Sequence, residues 1–414
     1  MNAKISTGAA GLAACTNRGS CLPEMGMMLA AAVPARMRPA ARHVLVFGLA
    51  LLGPGEIARA AEPLPVPKTV PAVAQADATK SAIIAPPPPP PAPMGVFGAD
   101  NLLAQGKLIL SITPNFTNLS GILIGTRRVS NEFIVSTVPF FLNPSQTVRI
   151  VPQNIAVNTQ VVGVRYGVTK DFEMILNLGM VEKNLNALVF RGTAGITQLG
   201  NNYPGTASLV DTVLSGIYRV YQDDIHRVHV GLGFSFPTGS NDNTFADFLL
   251  PNGTRRNIRG FYGMQLGTGT FDILPGAAYA GYLGPWSWGV SYRGRLPLGQ
   301  NPQGYLWGDL HEFNGWAGYT WIAGLTTTFR VNGSTQGPIR GFDPQINGPA
   351  VPANPLFYGG QRVELFGGAS ISGKFIGLEN ATILVEAGLP VYQNLNGPQI
   401  MKNWQAGMSL RLKM

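Results

Sequence analysis

Thirteen ionisable side chains fall on one parity of a series of alternating segments: Arg165, Glu173, Arg219, Arg227, His229, Arg293, Arg295, Arg330, Arg362, Glu364, Glu386, Arg411 and Lys413. Successive side chains of a strand point to opposite faces, so residues two apart share a face. With the apolar parity turned to lipid, these thirteen point inward. Counting the histidine, ten are basic and three acidic. A confined positive interior concentrates anions, because low-dielectric walls focus the field, and charged rings set selectivity in pores. One reading is a narrow channel that prefers anionic or polar aromatic solutes. The other is a structural network in which Arg and Glu pair across the interior and plug it.

Other chemistry is sparse. Beyond residue 61 the histidines are His226, His229 and His311, and both cysteines, Cys15 and Cys21, lie before it. No Gly-x-Ser-x-Gly elbow, HExxH, CxxC or phosphate-binding glycine loop occurs. The sequence therefore proposes no enzyme, cofactor or metal site. An outer-membrane hydrolase would have to use His311 beside a serine that nothing singles out.

The elements that position the charges are strands. Arg227 to Phe236 sets Val228, Val230, Leu232, Phe234 and Phe236 against Arg227, His229, Gly231, Gly233 and Ser235. Trp286 to Leu296 and Phe172 to Met180 alternate in the same way, as does the terminal 403–414. The other candidates are 106–116, 158–168, 211–221, 272–282, 312–322, 324–332, 361–371 and 379–389. Those at 272–282 and 312–322 are the least regular. Their connections alternate long and short: 117–157, 169–170, 182–210, 222–226, 237–271, 283–285, 297–311, Ala323, 333–360, 372–378 and 390–402. Outer-membrane barrels have short periplasmic turns and longer external loops. The fold class is thus all-β: a transmembrane antiparallel up-and-down barrel of about twelve strands, with both ends on the short-turn side.

Composition agrees. Charged residues are 12% of the chain, against about a quarter in a soluble protein. No apolar run after residue 61 approaches the roughly 20 residues of a spanning helix. Aromatics flank three short turns (Tyr166 and Phe172; Tyr282, Trp286 and Trp288; Tyr319 and Trp321), as in a membrane-interface girdle. The net charge of +9 falls to +5 without residues 1–60, too mild and scattered for nucleic acid.

The chain divides into a leader at 1–61, a Pro-rich periplasmic spacer at 62–99 and the barrel at 100–414. Arg38, Arg42 and His43 precede the apolar run Val44–Leu52, and Ala58-Arg-Ala60 offers small residues for cleavage of a signal peptide. Met37 is an alternative start, and Leu12-Ala-Ala-Cys15 resembles a lipoprotein box. Pro86 to Pro91 favours polyproline II.

Several runs are similar to the outer-membrane channel family assigned to the MetA pathway of phenol degradation. They are Gly233-Phe-Ser-Phe-Pro-Thr-Gly-Ser240, Tyr262 to Asp272, Trp286-Ser-Trp-Gly289, Asn301 to Tyr305, Gly359-Gly-Gln-Arg362 and, most specifically, Leu389 to Gln399. The resemblance covers roughly 100–414. It implies an outer-membrane channel or transporter of a Gram-negative cell, often for aromatic or apolar compounds. The run Val151–Asn158 lacks the Met and His of some members, against metal handling. Expected partners are outer-membrane lipid, lipopolysaccharide through Arg255, Arg256 and Arg259, a small-molecule solute, and the barrel-assembly machinery. That machinery would have to accept Met414 in place of a terminal aromatic residue. A structural or adhesin-type barrel without transport is the alternative. The apolar stretch 117–157 is read as a plug, a cap, or an extra hairpin that would raise the count to fourteen.

Overall fold

The structure is a computed structural model and describes residues 89–414. The leader, and the spacer up to residue 88, lie outside the described residues. Eleven continuous extended segments form a closed ring in which each neighbouring pair is antiparallel. An odd number of strands cannot alternate direction around a ring. The last segment, Ala381–Lys413, resolves this by folding back on itself. Its first half pairs with Gly360–Ser372 and its second half with Leu108–Gly125. The Lys413 N–H donates to the Asn380 carbonyl at 2.9 Å, and the Lys402 N–H to Gln393 Oε1 at 3.0 Å. The barrel therefore has twelve staves.

In chain order these are β1 (Leu108–Gly125), β2 (Ile150–Gly167), β3 (Phe172–Phe190), β4 (Thr212–Gln222), β5 (His226–Phe236), β6 (Asp272–Leu283), β7 (Trp286–Pro297), β8 (Leu310–Ile322), β9 (Leu325–Gln336), β10 (Gly360–Ser372), and the two arms β11 (381–395) and β12 (399–413). Each expected strand is present. The apolar parity faces outward: on β5, Val230, Leu232 and Phe234 are each more than 40% exposed, whereas His229 and Ser235 are buried. So wide an apolar belt suits lipid, not water. At the short-turn end Trp286, Tyr319 and Trp321 stack edge to face, with centroids 4.8 Å apart. Tyr282 departs from the expected girdle: it turns inward, with the Arg227 guanidinium 4.6 Å from its ring.

Three expected loops are partly or wholly wall, the stretch 182–210 by supplying the upper end of β3. The stretch 390–402 completes the β11–β12 hairpin. The stretch 117–157 supplies the upper ends of β1 and β2, leaving 126–149 as the connection. Eighteen residues at about 3.3 Å each give about 60 Å, twice a bilayer core of about 30 Å. Even tilted, β1, β2 and β3 stand above the membrane. There the alternation lapses, because both faces meet protein. Ile122, Val151, Leu188 and Phe190 pack with Ile134 and Val135 of helix α1 (Asn131–Thr137), which Ser130 caps by accepting the Phe133 N–H. The segment 117–157 is thus no extra hairpin of the barrel; its middle joins a cap. A second core contains Phe245, Phe248, Phe261, Tyr262, Met264, Tyr305 and Ile339 from the other long connections.

Candidate functional site

The short-turn half of the lumen is filled by the chain's own segment 89–107, which includes the described end of the stretch read as spacer. Asp100 anchors it. One carboxylate oxygen takes Arg165 and Arg411, each at 2.9 Å; the other accepts the Ala92 N–H at 2.8 Å. Glu173, with 0% exposure, receives Arg165 Nε at 2.6 Å and the Leu103 N–H at 2.9 Å. His229 Nδ1 lies 2.7 Å from the Gly98 carbonyl oxygen, so Nδ1 must carry the proton to donate there. Phe97 sits across β5 and β6, where side chains are missing. A Cβ on Gly231 or Gly276 would lie 2.6 or 2.8 Å from its ring, so glycine is what makes room. The Arg293 guanidinium stands over that ring, 5.4 Å from its centroid. Ala92 and Ala99 pack on Ala278, Ala280 and Trp316. These inward apolar residues on β6 and β8 explain why 272–282 and 312–322 alternate poorly: their lumen face meets protein.

Higher in the lumen, Arg330 holds Glu386 through two bonds of 2.9 and 2.6 Å, donates to Asn314 at 2.7 Å and covers Phe366. Lys402 reaches Glu364 at 2.7 Å. Arg362 meets Gln393 at 3.4 Å. Arg295 pairs with Asp272 and Asp211. Arg219 meets Asp171 of a short turn at 3.5 Å. Lys413 is exposed at the short-turn mouth.

Sequence reasoning missed Asp100, Asp211, Asp272 and Glu312 among the acids, and Lys183 and Lys402 among the bases. With them the interior carries eleven Lys and Arg against seven Asp and Glu. The apparent three-to-one excess drops below two to one, and most of the bases are paired. Parity alone could have found Asp211, Asp272 and Glu312, which are the first residues of the expected runs 211–221, 272–282 and 312–322. Nothing local marks Asp100, whose place depends on the tertiary path of 89–107.

Two cavities are stacked on the inner wall of β1, β2 and β3. The lower, of about 390 Å³, lies beside the plug and is lined by Ser111, Thr113, Asn115, Asn177, Asp211 and Arg411, among others. The upper, of about 200 Å³, is apolar. Leu119, Ile155, Val157 and Leu185 form its wall, Phe261, Met264, Val351, Phe357 and Tyr358 its roof, and Ile400 its side. Register places Asn115, Thr159 and Val181 on one level and Thr117, Val157 and Lys183 on the next. Two residues of one stave span about 6.6 Å, so only one such step separates the cavities.

The roof is tied down by polar bonds. Tyr358 donates to the Pro352 carbonyl at 2.8 Å and accepts the Gly263 N–H at 3.1 Å. Tyr262 packs edge to face on Tyr305 and Tyr358, and accepts the Asp343 N–H. Burial pushes the Tyr262 hydroxyl up to about 12 and raises those of Tyr305 and Tyr358, so the roof stays neutral. Arg259 closes the same region on Asp343 at 3.0 Å. Arg255 reaches Asp247, and Arg256 is exposed. His311, the residue a hydrolase would need, faces outward against the Tyr292 hydroxyl at 2.9 Å.

No protein-family model matches the chain, and no curated protein does. The resemblance to the phenol-degradation channels thus rests on the quoted runs alone. Among solved structures the chain is similar to an outer membrane channel from Pseudomonas putida F1, at 11% identity and a TM-score of 0.49, over 76% of this chain and 97% of that one. It is similar to the P. putida toluene transporter TodX at 10% identity and 0.39, over 75% and 91%. A Pseudomonas aeruginosa FadL homologue is similar at 9% and 0.39, over 78% and 96%. The solute follows from none of these names.

Proposed function

We propose that the chain is an outer-membrane channel that takes up small aromatic or apolar solutes by passive passage, and that the structure is its closed state. The observation that carries this reading is the apolar cavity of about 200 Å³ at the long-loop end of a closed barrel. A dry cavity of about 150 Å³ lined by Leu, Ile and Phe suffices to bind benzene. A single ring fits the upper pocket; a folded peptide or an oligosaccharide does not. The loop pattern sets the long connections outside the cell, so the pocket is the first station of an inward route. The lower cavity continues that route along the same three staves, past the plug.

Anion selection along the whole lumen finds less support than the sequence suggested, since Asp100, Glu173, Asp211, Asp272 and Glu386 hold Arg165, Arg295, Arg330 and Arg411, Asp171 meets Arg219, and Glu364 holds Lys402. Lipopolysaccharide contact falls chiefly to the exposed Arg256, and insertion by the barrel-assembly machinery would engage β12. Cells lacking the protein are expected to take up labelled toluene several-fold more slowly than complemented cells. Equal uptake would overturn the transport reading and leave a structural or adhesin role.

A further inference from the structure

The upper pocket contains one group that its apolar lining does not explain. Lys183 points inward from β3, and no Asp or Glu lines the cavity. Its ammonium donates to the Gly263 carbonyl at 2.9 Å and the Gln265 carbonyl at 2.7 Å. Both partners are neutral, and among the described residues Lys183 forms no ion pair. An ammonium has three donors, so one N–H is unspent. By contrast, the inward bases Arg165, Arg330 and Lys402 each meet a carboxylate. Keeping a charge unneutralised among Leu185, Val157 and Met264 is costly, where Leu or Met would pack without penalty. An ionisable residue facing the interior of a membrane barrel, with no carboxylate partner among the described residues, is a candidate for pairing with cargo.

We infer that the pocket takes a small amphiphile bearing a carboxylate: an aryl or short alkyl body against Ile155, Met264 and Phe357, and the carboxylate on Lys183 Nζ. The two carbonyls hold the ammonium at the wall with its free N–H available, so little side-chain entropy is lost on binding. The lower level begins one step below, at Asn115 and Thr159, so the charged end points along the route. This inference rests on the reading of the pocket as a solute site.

The test is a titration of the detergent-solubilised barrel with phenylacetate and with its neutral amide, followed by saturation-transfer NMR. The wild type should bind phenylacetate about tenfold more tightly than the amide, as one hydrogen bond between charged groups provides. Lys183→Met should erase that preference while leaving amide affinity within about twofold, and Lys183→Arg should keep it. Heat-modifiable migration on a gel confirms that each variant is folded. Equal binding of the two probes by the wild type would overturn the inference and leave the pocket a site for neutral solutes. So would Lys183→Met weakening both probes alike, because Lys183 would then only staple the 262–265 loop to the wall. Binding of neither probe would overturn the solute-site reading itself, and the inference with it.

Discussion

The two halves of the interior are held by different forces. At the short-turn end, the segment 89–107 is fixed by a few charged groups: Asp100 between Arg165 and Arg411, Glu173 on Arg165 and the Leu103 N–H, and the Gly98 carbonyl on His229. At the long-loop end, the cap is held by apolar and aromatic packing around Phe245, Phe261, Met264 and Tyr305. A charged clamp is specific in register and fails abruptly when one member is lost, because the remaining charge stays buried. A packed cap loses a little at a time and can deform around a guest. The difference suits a barrel that admits solutes at one end and keeps a shut stop at the other.

Glu173→Gln should disturb the charged end most. It leaves Arg165 short of a buried partner, at a cost of about 3–5 kcal/mol. The barrel-to-unfolded transition should move to markedly lower temperature on heat-modifiable gels, with aromatic binding in the upper pocket unchanged. Asp100→Asn comes next, at about 1.5–3 kcal/mol for weakened charged bonds. It should loosen the plug without unfolding the wall, so single-channel conductance in planar bilayers should rise above that of the wild type. Unchanged conductance would show that 89–107 does not limit passage. At the other end, Ile155→Trp fills the pocket. It should weaken toluene binding at least about tenfold, or roughly 1.4 kcal/mol, with the wild-type conductance retained.

The smallest effect concerns the turn before β5. Hydrogen bonds from the His226 N–H, the Tyr221 hydroxyl and the Ile225 N–H hold the Asp223 carboxyl down at about 2, below its ordinary 3.8. A depressed carboxyl stabilises fully above its ordinary value and loses that contribution as the pH falls through about 2. Asp223→Asn should therefore leave thermal stability nearly unchanged at pH 2, and lower it slightly and uniformly between pH 5 and 8. A pH-dependent loss within the 5 to 8 range would contradict this.

What was legible in the sequence follows the same division. Where one face meets lipid and the other a polar lumen, period-2 alternation located the staves: β5, β7 and β12 stand within a few residues of their expected bounds. Where a stave meets protein on both sides, alternation vanished. The upper ends of β1 and β2 read as an apolar loop, and the Ala278 and Trp316 faces read as irregular. The inward arginines were visible by parity, and so were their partners Glu173 and Glu386, but Asp100 was not, since it lies outside the staves. Lys183 has inward parity yet sits where β3 had been read as a loop. The pocket it lines is assembled from six separate stretches of chain, and no local pattern encodes it.

The most direct test of the central claim is a fluorine NMR titration of the purified barrel with fluorobenzene, repeated on Asp100→Asn and Ile155→Trp. Saturable binding that toluene displaces, kept by Asp100→Asn and lost in a folded Ile155→Trp, is the expected result. Failure of the wild type to saturate, or an Ile155→Trp barrel that binds as tightly as the wild type, would contradict it.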